Sequence, residues 1–92
     1  MEIDKILDIL NQSFIDDFCE VTLISKMITL RETRKISKIE VRGDSLFLIT
    51  SKKSQISIAV STLIYCYHYG PGSLAFLFKD GTTLTLRHED QL

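Results

Sequence analysis

Apolar residues fall at helical spacing at the start of the chain and at alternate positions through most of the remainder. Ile3, Ile6, Leu7, Leu10, Phe14 and Phe18 share one stripe, with Asp4, Lys5, Asp8, Gln12 and Asp16 to the other side, which predicts an amphipathic helix over residues 3–18. Asp4 in the first turn suits the positive end of the helix dipole. From Glu20 onward Val, Ile, Thr, Phe and Tyr dominate and turn residues recur, which predicts strands near 20–25, 27–32, 35–42, 45–51, 55–61, 63–69, 73–79 and 82–88. Gly43-Asp44 and Asp80-Gly81 suit tight hairpins, and Gly70-Pro71-Gly72 forces a reversal.

The strand region repeats itself. Residues 36–63 are echoed by 63–92: Gly43 falls on Gly70, Ser45-Leu46 on Ser73-Leu74, and Ile56 and Ile58 on Leu84 and Leu86. A repeated supersecondary unit produces this kind of self-similarity. The segments VTLIS and MITLRE lie over the last two strands of each copy as a truncated third. Short links make neighbouring strands pair antiparallel, so the expected fold is α+β, one domain over residues 1–92 with a β-meander of seven to eight strands over 20–88. Several strands are apolar on both faces, as in Leu74, Phe76 and Phe78 against Ala75 and Leu77. Such a sheet either curls into a partly open barrel or covers its second face with another subunit, and an apolar face of that size predicts a homodimer. Ile6, Leu10, Phe14 and Phe18 are expected to cover the first face, against residues such as Leu74, Phe76 and Phe78.

Composition narrows the function by exclusion. The 92 residues are 45% apolar and 25% charged, an ordinary globular balance that is too apolar for a disordered chain. Glu2 and Asp4 at the start and the absence of a long apolar run predict a cytoplasmic protein with no signal peptide and no membrane span. Cys19 and Cys66 are too few for a disulfide framework and read as buried thiols. Together with His68 and His88 they lack the local spacing of a zinc site, so neither metal nor other cofactor is expected. No nucleophile, base and oxyanion constellation is present, which predicts a protein that is not an enzyme.

Two sets of residues remain as binding candidates. Tyr65, Tyr67 and Tyr69 alternate along one strand and stand on one face, suited to gripping a protein partner or to packing across strands. Residues 26–53 carry an excess of basic groups, among them Lys38, Arg42, Lys52 and Lys53, which is the basis of an alternative, nucleic-acid binding. A net charge of −1 weighs against that alternative. The run Arg34–Leu63 resembles, in its cadence of strand, turn, strand and turn, the β-rich LytTR-type DNA-binding domains of bacterial response regulators. That resemblance implies a helix after Leu63, where this chain enters its second meander, so no family is assigned from it. The expected function is a small non-catalytic protein-binding module of the inhibitor, adaptor, immunity or assembly type, homodimeric, with a protein partner that the sequence does not name.

Overall fold

The computed structural model describes residues 3–70 and 72–88. Helix α1 (Ile3–Ser13) is followed by strands β1 (Phe18–Ile24), β2 (Thr29–Arg42), β3 (Ser45–Thr50) and β4 (Gln55–Ala59). A 3₁₀ turn (Val60–Thr62) leads into β5 (Leu63–His68), β6 (Ser73–Phe78) and β7 (Thr83–His88). All pairings are antiparallel, in the order β4-β3-β2-β1-β7-β6-β5. The chain thus walks out from β1 to one edge, crosses to the opposite edge at β5, and returns to pair β7 with β1.

That crossing dictates the shape. A flat seven-stranded sheet would hold its edges roughly 29 Å apart, yet only Val60–Thr62 join β4 to β5. The sheet must therefore curl until its edges meet at that link, and the extents of 29 × 29 × 27 Å show how far it does. β4 and β5 are not paired with each other, so the curled sheet stays open. The predicted meander is accordingly two meanders, β1–β4 and β5–β7, closed through the β1–β7 pair. Asp44 clamps the crossing, its carbonyl accepting the Val60 N–H at 2.9 Å and its carboxylate the Ser61 N–H at 2.9 Å. These bonds to Ser61 hold the Asp44 carboxyl below its usual range.

The internal repeat is present down to its hydrogen bonds. Units β2–β4 and β5–β7 match at a constant offset of 28 residues through their last two strands: the pairs Leu46–Ile58 and Leu48–Ile56 recur as Leu74–Leu86 and Phe76–Leu84. The turn bonds recur as well, since the amides of Thr50 and Lys53 bond to Ser54 and Thr50 as those of Phe78 and Gly81 bond to Thr82 and Phe78. Even the irregularity is copied, with register shifts at Ile36/Lys38 in β2 and Leu63/Tyr65 in β5. A β-bulge bends its strand, and the repeated shift places such a bend at the same point of each unit. Gly43 adopts φ +60 in a two-residue hairpin turn, as the primed turn classes require. In the Gly70–Gly72 turn Pro71 lies outside the described residues, as do residues 89–92 of the second copy.

Three expectations need correction. The helix ends at Ser13 rather than at residue 18. Asn11 and Ser13 are weaker helix formers than the residues before them, and Asp16 then turns the chain at φ +63 with its N–H donating to the Ile36 carbonyl at 2.7 Å. Phe18 consequently leaves the buried stripe and begins β1 at 52% exposure, with the Lys35 ammonium 5.9 Å from its ring. The strands expected at 27–32 and 35–42 are one, β2, whose first half pairs β1 and whose second half pairs β3. The remainder of the stripe behaves as expected: Ile6, Leu10 and Phe14 are fully buried in one core with Leu46, Leu48, Ile58, Leu74, Phe76 and Leu86. Phe14 packs edge-on against the His88 ring at 5.0 Å, and a His88 ring nitrogen contacts the Ser13 carbonyl, so the end of the helix is seated on the end of β7.

Candidate functional site

β5 forms one edge of the sheet, and the pleat sets Tyr65 and Tyr67 on its outer face while Cys66 points into the core. Tyr69 follows one step beyond the strand. All three tyrosines are about half exposed, and the Tyr67 and Tyr69 rings stack at 5.4 Å with 18° between their planes. Ile64, at the bulge, is exposed as well. The result is an apolar and aromatic strip along a strand that no other described strand pairs on its far side.

The repeat supplies a control for what this strip is for. The bulges align β5 with the second half of β2, so that Tyr65, Tyr67 and Tyr69 occupy the positions held in the first unit by Lys38, Glu40 and Arg42. There the same outer face carries a charged ladder. Lys38 Nζ lies 2.9 Å from Glu40, Arg42 bonds to the other Glu40 oxygen, and the Arg42 guanidinium sits 4.6 Å from the Phe47 ring. One fold position thus accepts either three charges or three aromatic rings, and the backbone geometry of the unit does not demand tyrosine.

The four basic candidates are spread along the β2–β3 hairpin and the turn that follows it. Lys38 and Arg42 pair with Ile49 and Ser45, four residues apart along β2, a separation of roughly 13 Å at the usual strand rise. Glu40 stands between them and bonds to both, and the bonds from Lys38 and then Arg42 hold its carboxyl below the usual range. Lys52 and Lys53 occupy the exposed β3–β4 turn, beyond the Lys38 end and away from Arg42.

The soft ligands are likewise dispersed. Cys19 lies beside His88 in the β1–β7 ladder, whereas Cys66 and His68 are on β5, two strands further along. Among the described residues no group of three or more His, Cys, Asp or Glu side chains is placed to hold a metal ion. Burial pushes both thiols up to about 11, with Asp17 adding to the effect at Cys19. A thiol held neutral in this way is a poor nucleophile at physiological pH. Among the described residues no helix is long and apolar enough to cross a membrane.

One feature of the surface has no local mark in the sequence. Because the sheet does not close, a cleft of about 350 Å³ opens between β4 and the inner face of β1, β2 and β7, floored by Val21, Leu23, Leu30, Ile56 and Leu84. Glu32 and Arg34 stand on its wall, 3.0 Å apart. The alternation Leu30, Glu32, Arg34 was the available signal, but it reads as a solvated strand unless the curl of the sheet is known. The cleft accepts an apolar group; its one guanidinium is already matched by a carboxylate.

No family model, curated protein or solved structure is significantly similar to the chain. What it does is therefore read from its own geometry.

Proposed function

We infer that this is a non-catalytic protein-binding module whose contact surface is the tyrosine strip of β5, Tyr65, Tyr67 and Tyr69. The observation that carries this reading is the difference between the two units: at equivalent positions the first unit has a charged ladder bonded through Glu40 and the second has three half-exposed rings. Tyrosine brings a large, stiff and amphipathic contact area, which is why it anchors so many protein interfaces. The buried neutral thiols and the dispersed histidines give no support to a catalytic role. Inhibitor, adaptor, immunity and assembly proteins all fit such a module. A cytoplasmic location and a homodimeric state belong to the same reading.

The experiment is a transplant within the molecule. Tyr65→Lys, Tyr67→Glu and Tyr69→Arg together copy the first unit's ladder onto β5 and should leave folding intact while abolishing capture of the protein's partners from its native cell extract. Capture of the same partners by parent and triple variant would sink the reading. Nucleic-acid binding through Lys38, Arg42, Lys52 and Lys53 is the alternative, and it requires an affinity that falls steeply with added salt. The Glu40 bonds to two of those four cations weigh against it.

A further inference from the structure

The tyrosine strip has a form that fits a second copy of this chain, an inference that rests on the binding role just assigned to it. Among the described residues β5 has β6 on one side and no strand on the other, so half of its backbone N–H and C=O groups face outward with no strand partner among them. Exposed edges of this kind are normally blunted by lysine, proline or an inward-pointing charge. Leu63–His68, reading LIYCYH, has none of these. The opposite edge, β4, is a residue shorter and follows directly on the Lys52-Lys53 turn.

The order of residues favours a copy over an unrelated strand. Tyr65-Cys66-Tyr67 reads the same in both directions. A strand related to β5 by a twofold axis through Cys66 runs antiparallel to it and sets Tyr65 against the partner's Tyr67, and Tyr67 against the partner's Tyr65. Directly opposed side chains in an antiparallel pair have Cβ atoms about 4.5–5.5 Å apart, within reach of ring-to-ring contact. All four of these rings lie on the outer face, and Tyr69, stacked on Tyr67, extends the cluster at each end. Ile64, exposed in the single chain, comes to lie opposite the partner's His68. With a net charge of −1, two copies meet little long-range repulsion.

We propose that β5 pairs with β5 of a second copy about a twofold axis at Cys66, joining two seven-stranded sheets edge to edge through a cluster of tyrosines. The register makes this testable by charge. Tyr65→Lys with Tyr67→Lys sets like charges opposite one another at both symmetry-related contacts, whereas Tyr65→Lys with Tyr67→Glu sets opposite charges there. Lys38 and Glu40 hold the equivalent positions of the first unit, so the Lys/Glu variant keeps the fold, and the half exposure of both rings lets the Lys/Lys variant keep it too, which urea unfolding verifies. Sedimentation equilibrium at micromolar concentration should find the parent dimeric, the Lys/Lys variant weakened at least about 100-fold, and the Lys/Glu variant dimeric again. A parent that stays monomeric, a Lys/Lys variant as tightly dimeric as the parent, or a Lys/Glu variant as weak as Lys/Lys would each overturn the proposal. The failure of the underlying reading looks different. If the parent is monomeric but the triple transplant still loses its captured partner, the strip binds another protein; if the transplant captures that partner unchanged, the strip is not a protein-binding surface.

Discussion

Phe14→Ala tests how the helix is seated on the sheet. The Phe14 side chain is fully buried among Ile6, Leu10 and the inner-face residues of both units, and its ring meets His88 edge-on at 5.0 Å. Truncation removes most of an aromatic side chain from a closed site, which costs about 3–5 kcal/mol. A domain normally has about 5–15 kcal/mol in all. With a urea slope near the low end of the small-protein range, about 1–1.5 kcal/mol/M, the midpoint should fall by roughly 2–5 M. Phe18→Ala is the matched control, because the sequence sets both residues on one helical stripe while the structure places Phe18 on the outer face of β1 at 52% exposure. It should cost less than about 1 kcal/mol, as exposed changes usually do. Equilibrium urea unfolding followed by far-UV circular dichroism measures both. Equal midpoints for parent and Phe14→Ala, or a larger loss for Phe18→Ala, would mean that the helix docks in a different register.

Lys53 stands at φ +63 where the second unit has Gly81 at φ +90, so Lys53→Gly should raise stability by about 0.5–1 kcal/mol and Gly81→Ala should lower it by about 1–2 kcal/mol. Matched urea curves check both signs. Asp16, at φ +63 in the turn after the helix, should lose about 1 kcal/mol on replacement by alanine and little on replacement by glycine, and a midpoint unchanged by the alanine substitution would remove the turn from the account. The two thiols keep their protons to about pH 11 in the native state, whereas an unfolded chain releases them near 8.5. Between those values the native state holds more protons, so stability should fall as pH rises through that window and level off above it, by about 3 kcal/mol per thiol at most. A Cys66→Ala variant should show a shallower fall than the parent. In the native protein at neutral pH both thiols should react with a disulfide reagent far more slowly than in urea, and equally fast labelling would contradict their burial.

The parts of the fold legible in the sequence were those set by local chemistry. Turn residues marked the hairpins, alternation marked the strands, and the spacing of Ile6, Leu10 and Phe14 marked the helix face. The repeat was visible because the same inner-face positions recur, from Leu46 to Leu74 and from Ile58 to Leu86. What escaped depended on long-range geometry. Nothing between Thr29 and Arg42 interrupts β2, and its division between two neighbours follows from the bulge at Ile36/Lys38, which carries no distinctive residue type. The β1–β7 pair joins strands at opposite ends of the sequence with no local signal to mark it, and together with the three-residue crossing it forces the sheet to curl. The cleft walled by Glu32 and Arg34 follows from that curl and was hidden for the same reason. At the candidate site the tyrosines were found by their alternation, but their equivalence to Lys38, Glu40 and Arg42 needed the aligned bulges of the two units.

Whether Tyr65, Tyr67 and Tyr69 serve contact with another protein or the packing of their own sheet is decided by the urea midpoint of the triple variant Tyr65→Lys, Tyr67→Glu, Tyr69→Arg. It is measured at a protein concentration low enough to keep the parent monomeric. Since the first unit folds with those same charges at the equivalent positions, the variant should unfold within about 0.5 kcal/mol of the parent. A loss of 3 kcal/mol or more, the size expected for large side chains taken out of a packed site, would show that the rings hold the sheet together and would contradict the account.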